Sequence, residues 1–177
     1  MTIKSKFIFI LIGDDKSGKT TIQKLLIDKI CGVEYLTLPT NKHFQITHPE
    51  IKRKFREISF ANRSYQEKID TYGSIENYFT NHFAPADICF ISSHLILNDI
   101  EQMIFQSRLR YFNVYGVFWS NSIESNGTLN SQISNLHWDE RLVIDNPITT
   151  DINLMYKQLN TIADSFLTLI INRTNIS

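Results

Sequence analysis

Apolar positions along this chain fall into short runs and two periods. Residues 7–12 (Phe7, Ile8, Phe9, Ile10, Leu11, Ile12) are apolar without a break, the pattern of a strand buried on both faces. Downstream, Ile22, Leu25, Leu26 and Ile30 recur at helical spacing, and Gly32 follows as a C-terminal cap. Glu34, Tyr35, Leu36, Thr37 and Leu38 read as a second strand stopped by Pro39. Thr47, His48, Pro49 and Glu50 have the form of a capping box, after which Ile51, Phe55 and Ile58 give a helix one apolar stripe. Ser74 caps a short helix that buries Ile75, Tyr78, Phe79 and Phe83. Asp87, Ile88, Cys89, Phe90 and Ile91 form a third strand, rich in β-branched and aromatic residues. Asn98, with Glu101 three residues on, opens a helix carrying Ile100, Ile104 and Tyr111. Residues 114–119 and 141–145 supply a fourth and a fifth strand, the latter broken by Asn146 and Pro147. A last helix from about Asp151 to Ile171 offers Leu154, Leu159, Ile162, Phe166 and Leu169 to the core.

Strands that alternate with helices require right-handed crossovers and a parallel sheet covered on both faces. The expected fold is therefore α/β: three layers, α/β/α, around a five-stranded parallel sheet. The uniformly apolar strand at residues 7–12 belongs at its centre. No internal repeat or linker divides the chain, so residues 1–177 are expected to form one domain, long enough to bury a core without disulfides or metals. Net charge is zero by count, which removes any overall bias toward nucleic acid or anionic membrane. Cys31 and Cys89 lie far apart in apolar stretches and read as reduced core thiols, which suits a cytoplasmic protein. The two lysines before the first apolar run resemble a signal peptide, but that run ends in a glycine turn rather than a small-residue cleavage site. No stretch approaches the roughly 18 apolar residues of a membrane-spanning helix.

The turn after the first strand names a chemistry. Gly13, Asp14, Asp15, Lys16, Ser17, Gly18, Lys19 and Thr20 match G-x-x-x-x-G-K-[ST], the Walker A or P-loop pattern, between a buried strand and a helix. In that setting Gly13 permits the turn, and Gly18 lets backbone approach a phosphate. Successive N–H groups at the positive end of the helix then cradle a polyphosphate, with Thr21 continuing the first turn. Lys19 is the charge for the β- and γ-phosphates, and the Thr20 hydroxyl is the ligand of Mg²⁺. The expected ligands are ATP, or another nucleoside triphosphate, and Mg²⁺. Asp14 and Asp15 would repel a triphosphate unless they point outward, hold Mg²⁺ or act as a base.

With the motif in the first strand–loop–helix unit, this size, this element order and Asn146-Pro147 after the last strand, the chain resembles the small P-loop kinases. Those enzymes phosphorylate nucleosides, nucleotides, sugars or polynucleotide ends. The resemblance implies a P-loop NTPase fold with strand order 2-3-1-4-5 and ATP across the carboxyl edge of the sheet. It also implies an acceptor held between strands two and three, contacts to the nucleotide from Asn146 and Pro147, and an arginine lid. The lid candidates are Arg108 and Arg110, just before the fourth strand, and Arg141; Arg108 is preferred, and Arg108, Arg141 and Lys19 are the expected catalytic groups.

The residues themselves add a local charge signal. Seven of the 18 Lys and Arg fall within residues 42–68: Lys42, Lys52, Arg53, Lys54, Arg56, Arg63 and Lys68. On one helical surface Arg53, Arg56 and Arg63 would bind a phosphorylated acceptor, and only this segment could contact nucleic acid. The opposing reading is a solvated polar face. His94 and Ser92, at the tip of the third strand, are further substrate candidates, because carboxyl tips of parallel strands line the ligand crevice. That strand lacks the carboxylate that P-loop enzymes usually carry at its end; Asp87 sits at the wrong end. Three classes stay open. One is a phosphotransferase acting on a small or phosphorylated acceptor. A GTPase switch is disfavoured by the lack of an N-K-x-D sequence. The third is a non-catalytic or weakly hydrolytic nucleotide-binding module that acts through a protein partner.

Overall fold

A computed structural model describes residues 5–15 and 17–175. The strands are β1 (Lys6–Ile12), β2 (Lys42–Gln45), β3 (Glu57–Ala61), β4 (Ile88–Ser93), β5 (Phe112–Trp119) and β6 (Glu140–Ile144). The helices are α1 (Lys19–Cys31), α2 (Ile69–Tyr72), α3 (Ile75–Asn77), α4 (Leu97–Leu109), α5 (Ser120–Ser125), α6 (Gly127–Ser134) and α7 (Ile152–Asn175). They build one mixed sheet in the order β2-β3-β4-β1-β5-β6, parallel throughout except for β2, which runs antiparallel to β3. Counting only parallel strands, the spatial order is second, third, first, fourth, fifth.

β1 lies between β4 and β5, and Phe7 to Ile12 are all buried. Alternation sends Phe7, Phe9 and Leu11 to one face, with α1 and α7, and Ile8, Ile10 and Ile12 to the other, with α3, α4 and α6. The first face carries an aromatic ladder. Phe60, Phe90, Phe9 and Tyr115 are in register on four adjacent strands, with ring centroids 5.3, 4.7 and 4.9 Å apart. Phe166 of α7 meets Phe9 and Phe90 edge-on.

Two expected elements differ. Residues 34–38 form no strand: Leu36 is 96 % exposed, Leu38 is buried, and the segment pairs with nothing in the sheet. β2 and β3, neither expected as a strand, join the sheet instead, so among the described residues it has six strands rather than five, and its second parallel strand is β3. The helix expected after Thr47 is a single 3-10 turn, Ile51–Arg53, before the chain extends into β3. Ile51, Phe55 and Ile58 are all buried on the α1/α7 face, as their spacing suggested. A turn followed by a strand delivers them there as well as a helix would, and the β-rich run Ile58, Ser59, Phe60 tips the choice. Tyr111 is the third correction: it follows α4 at φ 63 and is 90 % exposed.

The remaining helices sit close to expectation. Gly32 caps α1 at φ 66, its N–H donating to the Asp28 carbonyl. Ser74 Oγ accepts the Asn77 N–H at 3.0 Å. Leu159, Ile162 and Phe166 of α7 are buried, whereas Leu154 stays half exposed. No helix among the described residues is long and apolar enough to cross a membrane.

Phe90 is fully buried between Phe9 and Phe60 and beneath Phe166, so its ring is the midpoint of the ladder. Phe90→Ala is expected to cost about 3–5 kcal/mol of stability, read as a lower urea midpoint with an unchanged slope.

Candidate functional site

β1 ends at the central carboxyl edge of the sheet, and the loop after it turns back into α1. Gly13 N–H donates to the Ser93 carbonyl (3.1 Å), which ties the loop to the tip of β4. Trp119, at the tip of β5, is fully buried beneath both loop glycines, its ring within 3.7 Å of where either Cβ would stand. Gly18 has φ 101, and a Cβ there would lie 2.8 Å from Leu159 Cδ2. Ser17 Oγ donates to the Asp14 carbonyl (2.9 Å), and the buried Asn146 donates from Nδ2 to the Ser17 carbonyl (3.0 Å). Lys16 lies outside the described residues.

Lys19 folds back into the loop. Its Nζ donates to the carbonyls of Gly13 (2.6 Å) and Asp14 (2.7 Å) and to Ser17 Oγ (3.1 Å). Burial pulls the Lys19 ammonium down to about 8, against the opposing pull of Asp15, Asp14 and Glu67. The two loop acids part company. Asp14 Oδ2 accepts the Asn126 amide (2.7 Å) from the α5–α6 junction, whereas Asp15 is largely exposed, its Oδ1 3.7 Å from His94 Nε2.

A cavity of about 400 Å³ opens on each side of the loop. One is lined by Asp14, Asn121, Ser122, Ser125, Asn146, Pro147 and Ile148. The other is lined by Lys19, Thr20, Thr21, Asn62, Ser64, Glu67, Ser92 and His94. Asp15, Ser17, Gly18, Met155 and Leu159 belong to both, so the cavities meet at the loop.

Among the sequence candidates, the fold gathers Asn146, Pro147, Ser92 and His94 around residues 13–20 and leaves every candidate arginine but Arg63 elsewhere. Arg53 and Arg56 precede β3, and Arg56 N–H donates to Asp87 Oδ2 (2.7 Å) at the amino end of the sheet. With no helix there, the surface expected for Arg53, Arg56 and Arg63 does not exist. Residues 42–68 are divided between the two sheet ends, roughly 15 Å of strand apart. Arg108 binds the His137 carbonyl (2.8 Å) and Asp139 (3.0 Å), whose other oxygen accepts the Val114 N–H near the start of β5. Arg141 binds the Ser134 carbonyl and pairs in register with Gly116, about 10 Å of strand short of Trp119. Arg63 alone stays near the loop, paired with Glu67 at 3.3 Å.

Glu67 is the group the sequence reading passed over. Its Oε2 accepts the Ser64 N–H (2.8 Å), while its own N–H donates to Ser64 Oγ (3.3 Å). This is a capping box, and the S-x-x-E spelling at residues 64–67 was the available signal. The box holds Glu67 over the tip of β3, where Asp15, Glu67 and His94 each bring a ligand atom within 4.8 Å of the others.

Gly18→Ala should lose about 1–2 kcal/mol from backbone strain alone, before the Leu159 clash is counted; thermal melts check this. The chain matches no protein-family model, and a search of curated proteins finds no match.

Proposed function

We propose that this chain binds a nucleoside triphosphate, ATP by preference, with Mg²⁺ at residues 13–20, and acts as a small phosphotransferase that moves the γ-phosphoryl group to an acceptor in the second cavity. The observation that carries this reading is the Lys19 ammonium, drawn into a ring of loop oxygens in the wall of the second cavity and at the N-terminus of a 13-residue helix. A polyphosphate entering the loop replaces two contacts to neutral carbonyls with contacts to anionic oxygens, and the α1 dipole favours the same anion. Gly18, at φ 101, makes a turn in which a Cβ would strike Leu159. Asn146 anchors the loop from below, and Asn121 and Pro147 line the cavity suited to the rest of the nucleotide.

The oxygen donors fit Mg²⁺: the Thr20 hydroxyl and the Asp15 and Glu67 carboxylates are hard ligands, and only the His94 nitrogen suits that ion poorly. Held there, the ion would neutralise charge on the β- and γ-phosphates. The carboxylates are the nearest substitutes for the acid missing from the tip of β4.

A second reading, a nucleotide-binding module with little or no transfer activity, is favoured by one specific feature. Lys19 is the only Lys or Arg lining either cavity among the described residues, so no arginine is in place to meet charge on a moving phosphoryl group. Product analysis after incubation with ATP and a panel of acceptors separates the two.

Lys19→Ala is expected to lose most ATP affinity, by about 100-fold or more, with an unchanged melting temperature in the absence of ATP. Equal ATP binding by wild type and variant in calorimetry would refute the assignment. Affinity should also fall as pH rises. Below about 8 the free protein already carries the Lys19 proton. Above that value binding must take a proton up, so the dissociation constant should rise toward tenfold per pH unit, with proton uptake visible as a buffer-dependent enthalpy.

A further inference from the structure

β6 is an outer strand of the sheet, and no strand among the described residues pairs with its free edge. As β6 begins, the Asp139 N–H donates to the Val114 carbonyl of β5. With a period of two, the odd-numbered backbone groups face β5, and the N–H and C=O groups of Leu142 and Ile144 face outward. The opposite edge of the sheet is guarded: β2 has four residues and exposes Lys42, His43 and Gln45. The centre of β6 has no such guard. Val143 is 68 % exposed, and a groove of about 450 Å³ runs between β6 and α7, lined by Leu142, Ile144, Ile162 and Phe166 among others.

The charges along β6 say what fits this edge. The order Arg141, Leu142, Val143, Ile144, Asp145 complements itself when read backwards. Laid antiparallel about a two-fold axis at Val143, Arg141 stands opposite the partner's Asp145, and Asp145 opposite the partner's Arg141. Val143 meets the partner's Val143, and Leu142 pairs with the partner's Ile144. Those last two carry the outward backbone groups, so each such pair exchanges both of its N–H···O bonds. The neighbouring registers lose this match. An axis at Leu142 sets Asp145 against the partner's Asp139, and an axis at Arg141 sets two arginines against each other. An axis at Ile144 needs the Asn146 N–H, which already donates to Ser120 Oγ (2.7 Å). Asp145 is exposed, with no hydrogen bond or ion pair of its own among the described residues. Arg141 gives one N–H to the Ser134 carbonyl and has further donors to offer.

We infer that this chain forms a two-fold dimer through β6, joining two six-stranded sheets into one. An axis normal to the sheet keeps like faces together, so the partner's Leu142 and Ile144 extend the apolar groove beside α7, and the two α7 helices lie on the same side of the joined sheet.

The test is the mass of the full chain without nucleotide, by sedimentation velocity from about 1 to 100 µM. The wild type should move from one copy, 20.7 kDa, toward twice that mass as concentration rises. Val143→Glu places two carboxylates at the axis and should weaken association by about tenfold or more. Asp145→Arg sets arginine against arginine and should do the same. Arg141→Asp combined with Asp145→Arg should restore the dimer, because it exchanges the two ends of each ion pair. Val143→Cys should form a disulfide-linked dimer on mild oxidation, and Arg141→Cys should not; the native Cys31 and Cys89 are buried. Melting temperatures close to wild type verify that each variant is folded. A chain that stays at one-copy mass throughout overturns the inference, as does a dimer that survives Val143→Glu. A dimer indifferent to Asp145→Arg, or one that the charge exchange fails to restore, refutes the register and the inference with it.

Discussion

Burial of β1 on both faces is the constraint from which the rest of the architecture follows. A six-residue run of Phe, Ile and Leu can be removed from water only if strands flank it and helices cover it above and below. β4 and β5 supply the flanks. On one face the ladder Phe60, Phe90, Phe9 and Tyr115 locks the register of four strands, because a slip of one residue would turn each ring toward the opposite layer. Phe166 ties α7 to that ladder, and the same helix brings Leu159 against Gly18. The central strand, the closing helix and the glycine loop thus form one mechanical unit.

Parallel strands give the molecule two unlike ends. At the carboxyl edge the tips of β1, β3, β4 and β5 present the loop, Asn62, Ser92 and Trp119, with Ser64, Glu67 and His94 just beyond. At the amino edge carboxylates organise the strand starts. Asp87 accepts the backbone N–H groups of Arg56 and Glu57, Asp139 accepts that of Val114, and Glu140 pairs with Arg173. The arginines accompany those carboxylates: Arg108 is held by Asp139, and Arg56 follows the turn that Asp87 secures. Most basic side chains of the segment 52–56 therefore serve the far end of the sheet. Among the described residues no Lys or Arg lines the first cavity, and Lys19 is the one that lines the second.

That scarcity shapes the chemistry available. An ammonium held by carbonyls and depressed by burial is suited to a polyanion that brings its own compensating charge. The two cavities differ in the Lys19 ammonium, which lines only the second, while each is lined by two carboxylates, Asp14 and Asp15 in the first and Asp15 and Glu67 in the second.

The sequence by itself determined what depends on neighbours along the chain. Unbroken apolar residues at 7–12, glycines at fixed offsets, and a Lys-Thr pair opening a helix are local patterns, and each found its place: β1, the turn, α1. The stripes of α7 and the strand at β4 were legible for the same reason. Burial of Ile51, Phe55 and Ile58 was legible as well, but not the backbone that achieves it, because a 3.6-residue period and a turn plus strand place those three side chains alike. Tertiary structure alone decided which end of the sheet each charge reaches. Arg53 and Arg56 stand only a few residues from Arg63, yet β3 runs between them and carries the two groups to opposite edges. Glu67 reached its place the same way: its capping box is local, but its approach to His94 and Asp15 exists only because β3, β4 and β1 are adjacent.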